Sequence, residues 1–205
     1  MENNIDLNKE ITFETFKKQV LEDYRIIVTS REASLLGRRE VLSGKAKFGI
    51  FGDGKELPQI ALAKVFQNGD FRSGYYRDQT FMMAIDELSV KQLFSGLYAN
   101  TDINEEPMSA GRQMGAHFNT PLLNTDGSWK KLINLKNSSS DVSCTGSQMP
   151  RLLGLAQASK LYRNLDFKNS KNFSINGNEI AWGTIGNAST SEGVFFEVLN
   201  AAGVH

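Results

Sequence analysis

At 205 residues, with 40% hydrophobic and 22% charged residues and a formal net charge of zero, the chain has the composition of one globular domain. Balanced, scattered charge excludes nucleic-acid binding through a basic footprint, and the apolar runs are too short to span a bilayer. The single cysteine, Cys144, excludes an internal disulfide, and with only His117 and His205 beside it no zinc cluster can be drawn.

Met1-Glu2-Asn3-Asn4 lacks the basic-then-apolar pattern of a secretory leader, so a cytoplasmic protein is expected. Phe16, Val20, Tyr24, Ile27, Val28 and Leu35 then recur near one helical stripe, which predicts a helix over 12–42 that Gly37 can kink and Gly44 stops. Covering its own core is the default for such a stripe, and packing on a partner chain is the alternative. Either way, Leu35→Glu is expected to harm folding.

Gly52-Asp53-Gly54 reads as a loop. From Leu57 to Phe66, Pro58 in the first turn and the alanines that follow predict a helix closed by Asn68-Gly69. Asp70 to Arg77 reads as an extended segment leading into a helix from about Asp78. Tyr76 and Arg77 then lie where a phenol and a guanidinium can both reach an anion, or simply stack on each other at the surface. Ser89 and Gln92 have capping-box spacing, and Val90, Leu93, Phe94, Leu97 and Tyr98 form the buried stripe of the next helix.

Thr101 to Asn137 is loop-rich, and loops of that size within a compact domain are functional or mobile. Within it, Gly111-Arg112-Gln113-Met114-Gly115-Ala116-His117 gathers a cation, an amide and an imidazole that can serve an oxyanion or shuttle a proton, or else face solvent. A Cys144–His117 nucleophile pair has no supporting signature, and a half-buried thiol is the plainer reading. The hydroxyl-rich run Asn137 to Ser147 suits helix capping and loop wiring or phosphate donation equally. Gln148 to about Arg163, with Leu152, Leu153, Gly154, Leu155, Ala156 and Ala158, predicts a mostly buried helix. Asn164 to Asn178, containing Asn176-Gly177, reads as a polar turn region before the central strand.

The last stretch, Ile180 to Asn200, reads as strand, small-residue turn and helix, with Phe195, Val198, Leu199 and Ala202 on one stripe. Ser189 and Glu192 have the spacing of a capping box at the helix start. The unpaired N–H groups of a helix start suit a phosphate, although the same turn serves any strand-to-helix connection.

Gly74-Tyr75-Tyr76-Arg77-Asp78, Gly111 to His117, Ser143 to Pro150, and Gly186 to Asn200 stand in the order and spacing of the thiamine-diphosphate-dependent 2-oxoacid dehydrogenases. From about Thr29 onward the chain resembles the amino-terminal part of their alpha subunit. The Gly-Arg-Gln-Met run is nearest the branched-chain (2-oxoisovalerate) type. The resemblance implies an α/β thiamine-diphosphate-binding fold, three-layered with a parallel sheet, spanning 1–205 and unfinished at the carboxyl end. An open sheet edge or helix face would then favour self-association.

The resemblance also assigns roles. Tyr76 and Arg77 would bind the diphosphate, with Ser143 as a further contact. Thr145 would meet the aminopyrimidine through its backbone, and His117 would steady intermediates. Gly186, Asn187, Ala188 and Ser189 match the thiamine motif, with Asn187 at the acidic position that faces magnesium. Ser147 and Gln148 match a monovalent-cation loop in which Cys144 replaces a proline. The implied activity is decarboxylation of a 2-oxoacid with acyl transfer to the lipoamide of a lipoyl acyltransferase. A beta-type subunit or domain would supply the activating glutamate, so the chain alone is expected to be inactive. The alternative is a non-catalytic interaction module with a degraded cofactor site. A nucleotide-binding Rossmann fold lacks support, because no Gly-x-Gly-x-x-Gly follows a strand.

Overall fold

The computed structural model describes residues 11–166, 168–175, 177 and 179–204. The readings placed on Met1 to Asn4, on Asn176 and on His205 lie outside the described residues. Among these residues six α-helices, α1 Phe13–Leu42, α2 Glu56–Val65, α3 Gln79–Ala84, α4 Val90–Leu97, α5 Gln148–Asn164 and α6 Gly193–Val204, accompany three short strands. The strands are β1 Phe71–Ser73, β2 Asn137–Ser138 and β3 Ala181–Gly183, paired in the order β2-β1-β3 and wholly parallel. Phe71 stands opposite Asn137 and Ala181, and Arg72 opposite Ser138 and Trp182.

Adjacent residues of a strand point to opposite faces, so β3 shows how the layers stack. Trp182 packs on the core that holds Phe66 and Phe81, its ring 6.4 Å from that of Phe66. The next residue, Gly183, lies against Leu152 of α5 so closely that a Cβ there would collide with it. Helices α1 to α4 therefore cover one face and α5 with α6 the other, which gives three layers. Phe66, Phe81, Met82, Met83, Ile85, Leu88, Leu93 and Phe118 fill the core on the first face. The capping box at Ser89 and Gln92 is present with both of its bonds and starts α4 as expected. Of that helix's expected stripe Leu93 and Leu97 are buried, whereas Val90 and Tyr98 are exposed.

Helix α1 departs most from its sequence pattern. Its buried residues are Ser30, Ala33, Ser34 and Gly37, while Phe13, Phe16, Val20, Leu21, Tyr24, Val28 and Leu35 are exposed. Polar bonds in its second half hold it. Ser30 Oγ meets Thr80 Oγ1 at 2.6 Å, Gln79 Nε2 donates to Ser34 Oγ at 2.7 Å, and Arg31 forks onto Glu56 at 2.6 and 2.8 Å. Small residues allow this close approach, which an apolar stripe of large side chains would not. The helix runs on through Gly37, whose bare Cα makes room for the Phe51 ring. The default reading of the stripe is thereby corrected, and Leu35, 42% exposed, loses its expected importance for folding.

Four further expectations change. Helix α5 buries only Gln148 and Met149, in its first turn, although β1, β3 and α6 all pack against it. Strand β3 is an edge strand of the described sheet, and β1 is central. The turn after β3 forms a short 3-10 helix over Asn187–Ser191, so α6 begins at Gly193 and Ser189 does not cap it. Of the residues expected on the buried stripe of α6, only Val198 is buried.

Candidate functional site

In a parallel sheet all strands end at one edge, and the segments that leave there converge outside it. Here those segments are 74–78, 139–147 and 184–192, so three of the four sequence motifs are brought together by topology alone. The fourth, around His117, joins them through Asp141, which accepts from the Phe118 N–H at 3.0 Å and whose backbone N–H donates to the Phe118 carbonyl at 2.9 Å.

Beneath the surface a single guanidinium organises this end. Arg72 is fully buried and bonds to Asp78 at 2.8 Å, Asp141 at 3.0 Å, Ser138 Oγ at 2.7 Å and the Tyr75 carbonyl at 2.9 Å. Burial alone would lower the pKa of Arg72, but the Asp141 and Asp78 carboxylates raise it, so the group stays charged. Burial pushes Asp141 up despite its partner. Asp78 in turn accepts from Tyr75 N at 3.2 Å and from the Thr184 hydroxyl at the end of β3. Gly74 has to be glycine here, since a Cβ at that position would fall on the Arg72 guanidinium.

The functional side chains lie above this base. The Tyr75 and Tyr76 rings are 4.4 Å apart, and Tyr76 stacks on His117 at 5.7 Å with 17° between the planes. The Tyr75 phenol lies 3.2 Å from where a Cβ on Gly186 would stand, which links the Tyr-Tyr-Arg segment to the small-residue turn. Burial and the neighbouring Tyr76 phenol push Tyr75 upward, so it remains a neutral donor. The Arg77 guanidinium carbon is 5.8 Å from each tyrosine ring, as the stacking alternative anticipates, yet its Nε is buried without a hydrogen-bond partner. Gln59 of α2 fixes the backbone there, donating to the Arg77 carbonyl at 3.0 Å while accepting from Phe81 N at 2.9 Å.

His117 is buried, not solvent-facing. Its Nδ1 is 3.3 Å from the Gly115 carbonyl, which can only accept, so a ring proton on Nδ1 satisfies that contact. In that tautomer Nε2 accepts from the Ser143 hydroxyl at 2.6 Å, which also lies 3.5 Å from Met114 Sδ. Cys144 is exposed, which corrects the half-buried expectation, and Thr145 is exposed beside it. Gly146 brings this segment to α6, since a Cβ there would stand 2.9 Å from Val194 Cγ1 in the first turn. The hydroxyl run wires loops and does not cap α5: the Ser147 side chain makes no capping bond, whereas Ser139 Oγ donates to the Arg72 carbonyl at 3.0 Å.

The donor set fits a diphosphate. An unpaired buried Arg77 Nε, a neutral phenol and the Ser143 hydroxyl lie on adjoining segments, and Gly186 leaves no side chain in the way. It does not fit a magnesium ion held by the chain. Among the described residues no group of three His, Cys, Asp or Glu side chains could hold a metal, and exposed Asn187 offers one neutral amide oxygen. Ala188 is exposed and Ser189 buried within the same turn. Arg72, Asp141, Thr184 and Gln59 escape sequence reading. Only the charge at an interior strand position hinted at Arg72, and nothing in the spacing pairs it with a carboxylate 69 residues on.

The family model described as "Dehydrogenase E1 component" matches residues 25–205. The 2-oxoisovalerate dehydrogenase subunit alpha of Bacillus subtilis (strain 168) is 27% identical over 193 residues, covering 92% of this chain and 48% of that protein. The chain thus spans about half the length of this curated relative.

Proposed function

This chain belongs to the dehydrogenase E1 component family, and from that premise we propose that it forms the diphosphate-binding side of a thiamine-diphosphate site in a branched-chain 2-oxoacid dehydrogenase. The single observation that carries the reading is Arg77 Nε, buried and unpaired beside Tyr75, at the end of a parallel sheet where the other motif segments meet. Residues 1–205 are taken as part of one thiamine-diphosphate-binding domain, acting in the cytoplasm. Among the described residues no helix is long and apolar enough to cross a membrane.

When bound, thiamine diphosphate supplies a carbanion-stabilising centre that lets a 2-oxoacid lose its carboxylate as carbon dioxide. The chain's own residues bind and orient. Arg77 gives the diphosphate a charge-assisted donor, and Tyr76 and Ser143 add hydroxyls, each such bond to a charged group contributing about 1.5–3 kcal/mol. Thr145 presents its backbone to the aminopyrimidine, and Gly186, Ala188 and Ser189 keep the turn low enough for close approach. His117 holds its proton on Nδ1 and presents Nε2, so it can take and return a proton at that atom once Ser143 turns to the diphosphate. Asn187 would offer a magnesium ion one neutral amide oxygen only, so the chain's own residues would not hold that ion, and Ser147 and Gln148 are assigned no monovalent ion. The activating glutamate comes from a beta-type partner, and the acyl group passes to a lipoyl acyltransferase. The chain by itself is expected to give no turnover.

Asn187 also favours a second reading, an interaction module that keeps the fold without the chemistry. Titration calorimetry with thiamine diphosphate, with and without magnesium, separates the two. Binding that falls at least tenfold in Arg77→Ala, and that gains magnesium dependence in Asn187→Asp, supports the cofactor site. Absence of binding in all three proteins sinks it.

A further inference from the structure

We propose that Arg72 is the positioning residue of this site, the one group against which all four of its segments are set in register. The proposal rests on the anion-site reading above. Arg72 is fully buried beneath the segments that carry the donors, so it acts on them through other groups. It reaches the segment of Tyr76 and Arg77 through the Tyr75 carbonyl and Asp78, and the segment of Ser143 through Ser138 and Asp141. Asp141 extends the tie to Phe118, next to His117, and Asp78 extends it to Thr184, two residues before Gly186. Every motif residue with an assigned role is thus within five residues of one that Arg72 or one of its two carboxylates holds.

The planar fork explains why arginine stands here. Its nitrogens point in fixed directions, so the angles between the segments are set as well as their distances. An ammonium keeps the charge but has three donors on a freely turning carbon, and cannot bind four partners in fixed directions. Anion binding needs donors that converge to within fractions of an ångström, so loss of the fork spreads the donors without removing any of them.

The test uses the 205-residue chain and inorganic pyrophosphate as the probe, read by titration calorimetry. Arg72→Lys retains a positive charge between Asp78 and Asp141. We expect native far-UV circular dichroism and a pyrophosphate affinity about tenfold weaker or more, the loss of roughly one charge-assisted bond. A double-mutant cycle distinguishes positioning from bulk stability. Ser143→Ala and Thr184→Val lie on different segments, and their effects on affinity are expected to be non-additive with Arg72 present and additive in Arg72→Lys. A purely structural residue would lower the melting temperature and leave additivity unchanged.

A folded Arg72→Lys that binds within twofold of the natural chain overturns the proposal. Should Arg72→Lys not fold, Ser138→Ala removes one acceptor from the fork, and unchanged affinity in that variant overturns the proposal equally. If the natural chain takes up no pyrophosphate, the anion site itself is refuted and the positioning role with it. That result is told apart from the first because Arg77→Ala then has no affinity to lose.

Discussion

At the carboxyl ends of the strands Arg72, Asp78 and Asp141 are at most 4% exposed, whereas along the first half of α1 Phe13, Phe16, Val20, Leu21 and Tyr24 are 45% to 73% exposed. Both regions reverse the usual sorting of polar and apolar groups, and for different reasons. The ions are inside because three short strands leave little backbone to hold the site segments together, and one forked cation does so while its partners satisfy it. The apolar side chains are outside because the small and polar residues that let α1 approach the domain closely lie in its second half, while the first half is held through the ion pair of Asp23 with Lys64 at 2.8 Å. A buried charge network thus marks geometry that has to be kept, and an exposed apolar stripe marks surface free for association.

The sharpest way to break the comparison is to remove the cation. Arg72→Met strands two buried carboxylates and is expected to cost about 3–5 kcal/mol in urea unfolding. A loss under about 1 kcal/mol would mean that the network is not integral to the fold. Next comes Gly74→Ala, whose Cβ displaces the Arg72 guanidinium and should cost about 2 kcal/mol. Gly154→Ala, in the open on α5, should instead gain up to about 1 kcal/mol.

A smaller effect is expected at the root of α1. The hydrogen bond from Arg31, helped by the Gly54 N–H and opposed by burial, holds the Glu56 carboxyl below its ordinary value of 4.5. A carboxylate whose folded pKa is depressed contributes stability above its unfolded pKa and loses it as pH falls through the folded one. The urea midpoint should therefore decline below about pH 4.5, and Glu56→Gln should flatten that decline. The smallest change in stability belongs to Phe16→Glu, within about 0.5 kcal/mol, because the side chain is already in water. The same variant should lower the mass seen by light scattering at high concentration. Two proteins equally monomeric would remove α1 as an association surface.

Local signals were read where they depend on neighbours in sequence. The capping box at Ser89, the turn at Gly69, the long first helix and the extended segment before Tyr76 all follow from residues within a few positions of one another. What went astray was the side to which a periodic pattern faces. The stripes of α1, α5 and α6 are regular, yet periodicity says only that one face differs from the other, and a partner has to be present for that face to be buried. The Ser189 and Glu192 spacing failed for a related reason. The chain makes a 3-10 turn first, and the same residues then fall outside the helix they were expected to cap.

The site divides in the same way. Tyr76, Arg77, His117 and Ser143 could be proposed from sequence because their types and order are distinctive, and the sequence alone also settled an α/β chain with a small-residue turn near its end. That these residues meet, that His117 gives its Nε2 to Ser143, and that Arg72 binds the segments beneath them depended on tertiary structure. A parallel sheet brings together segments far apart in sequence, and the strength of a buried charge is set by partners 6 and 69 residues away that no local pattern encodes.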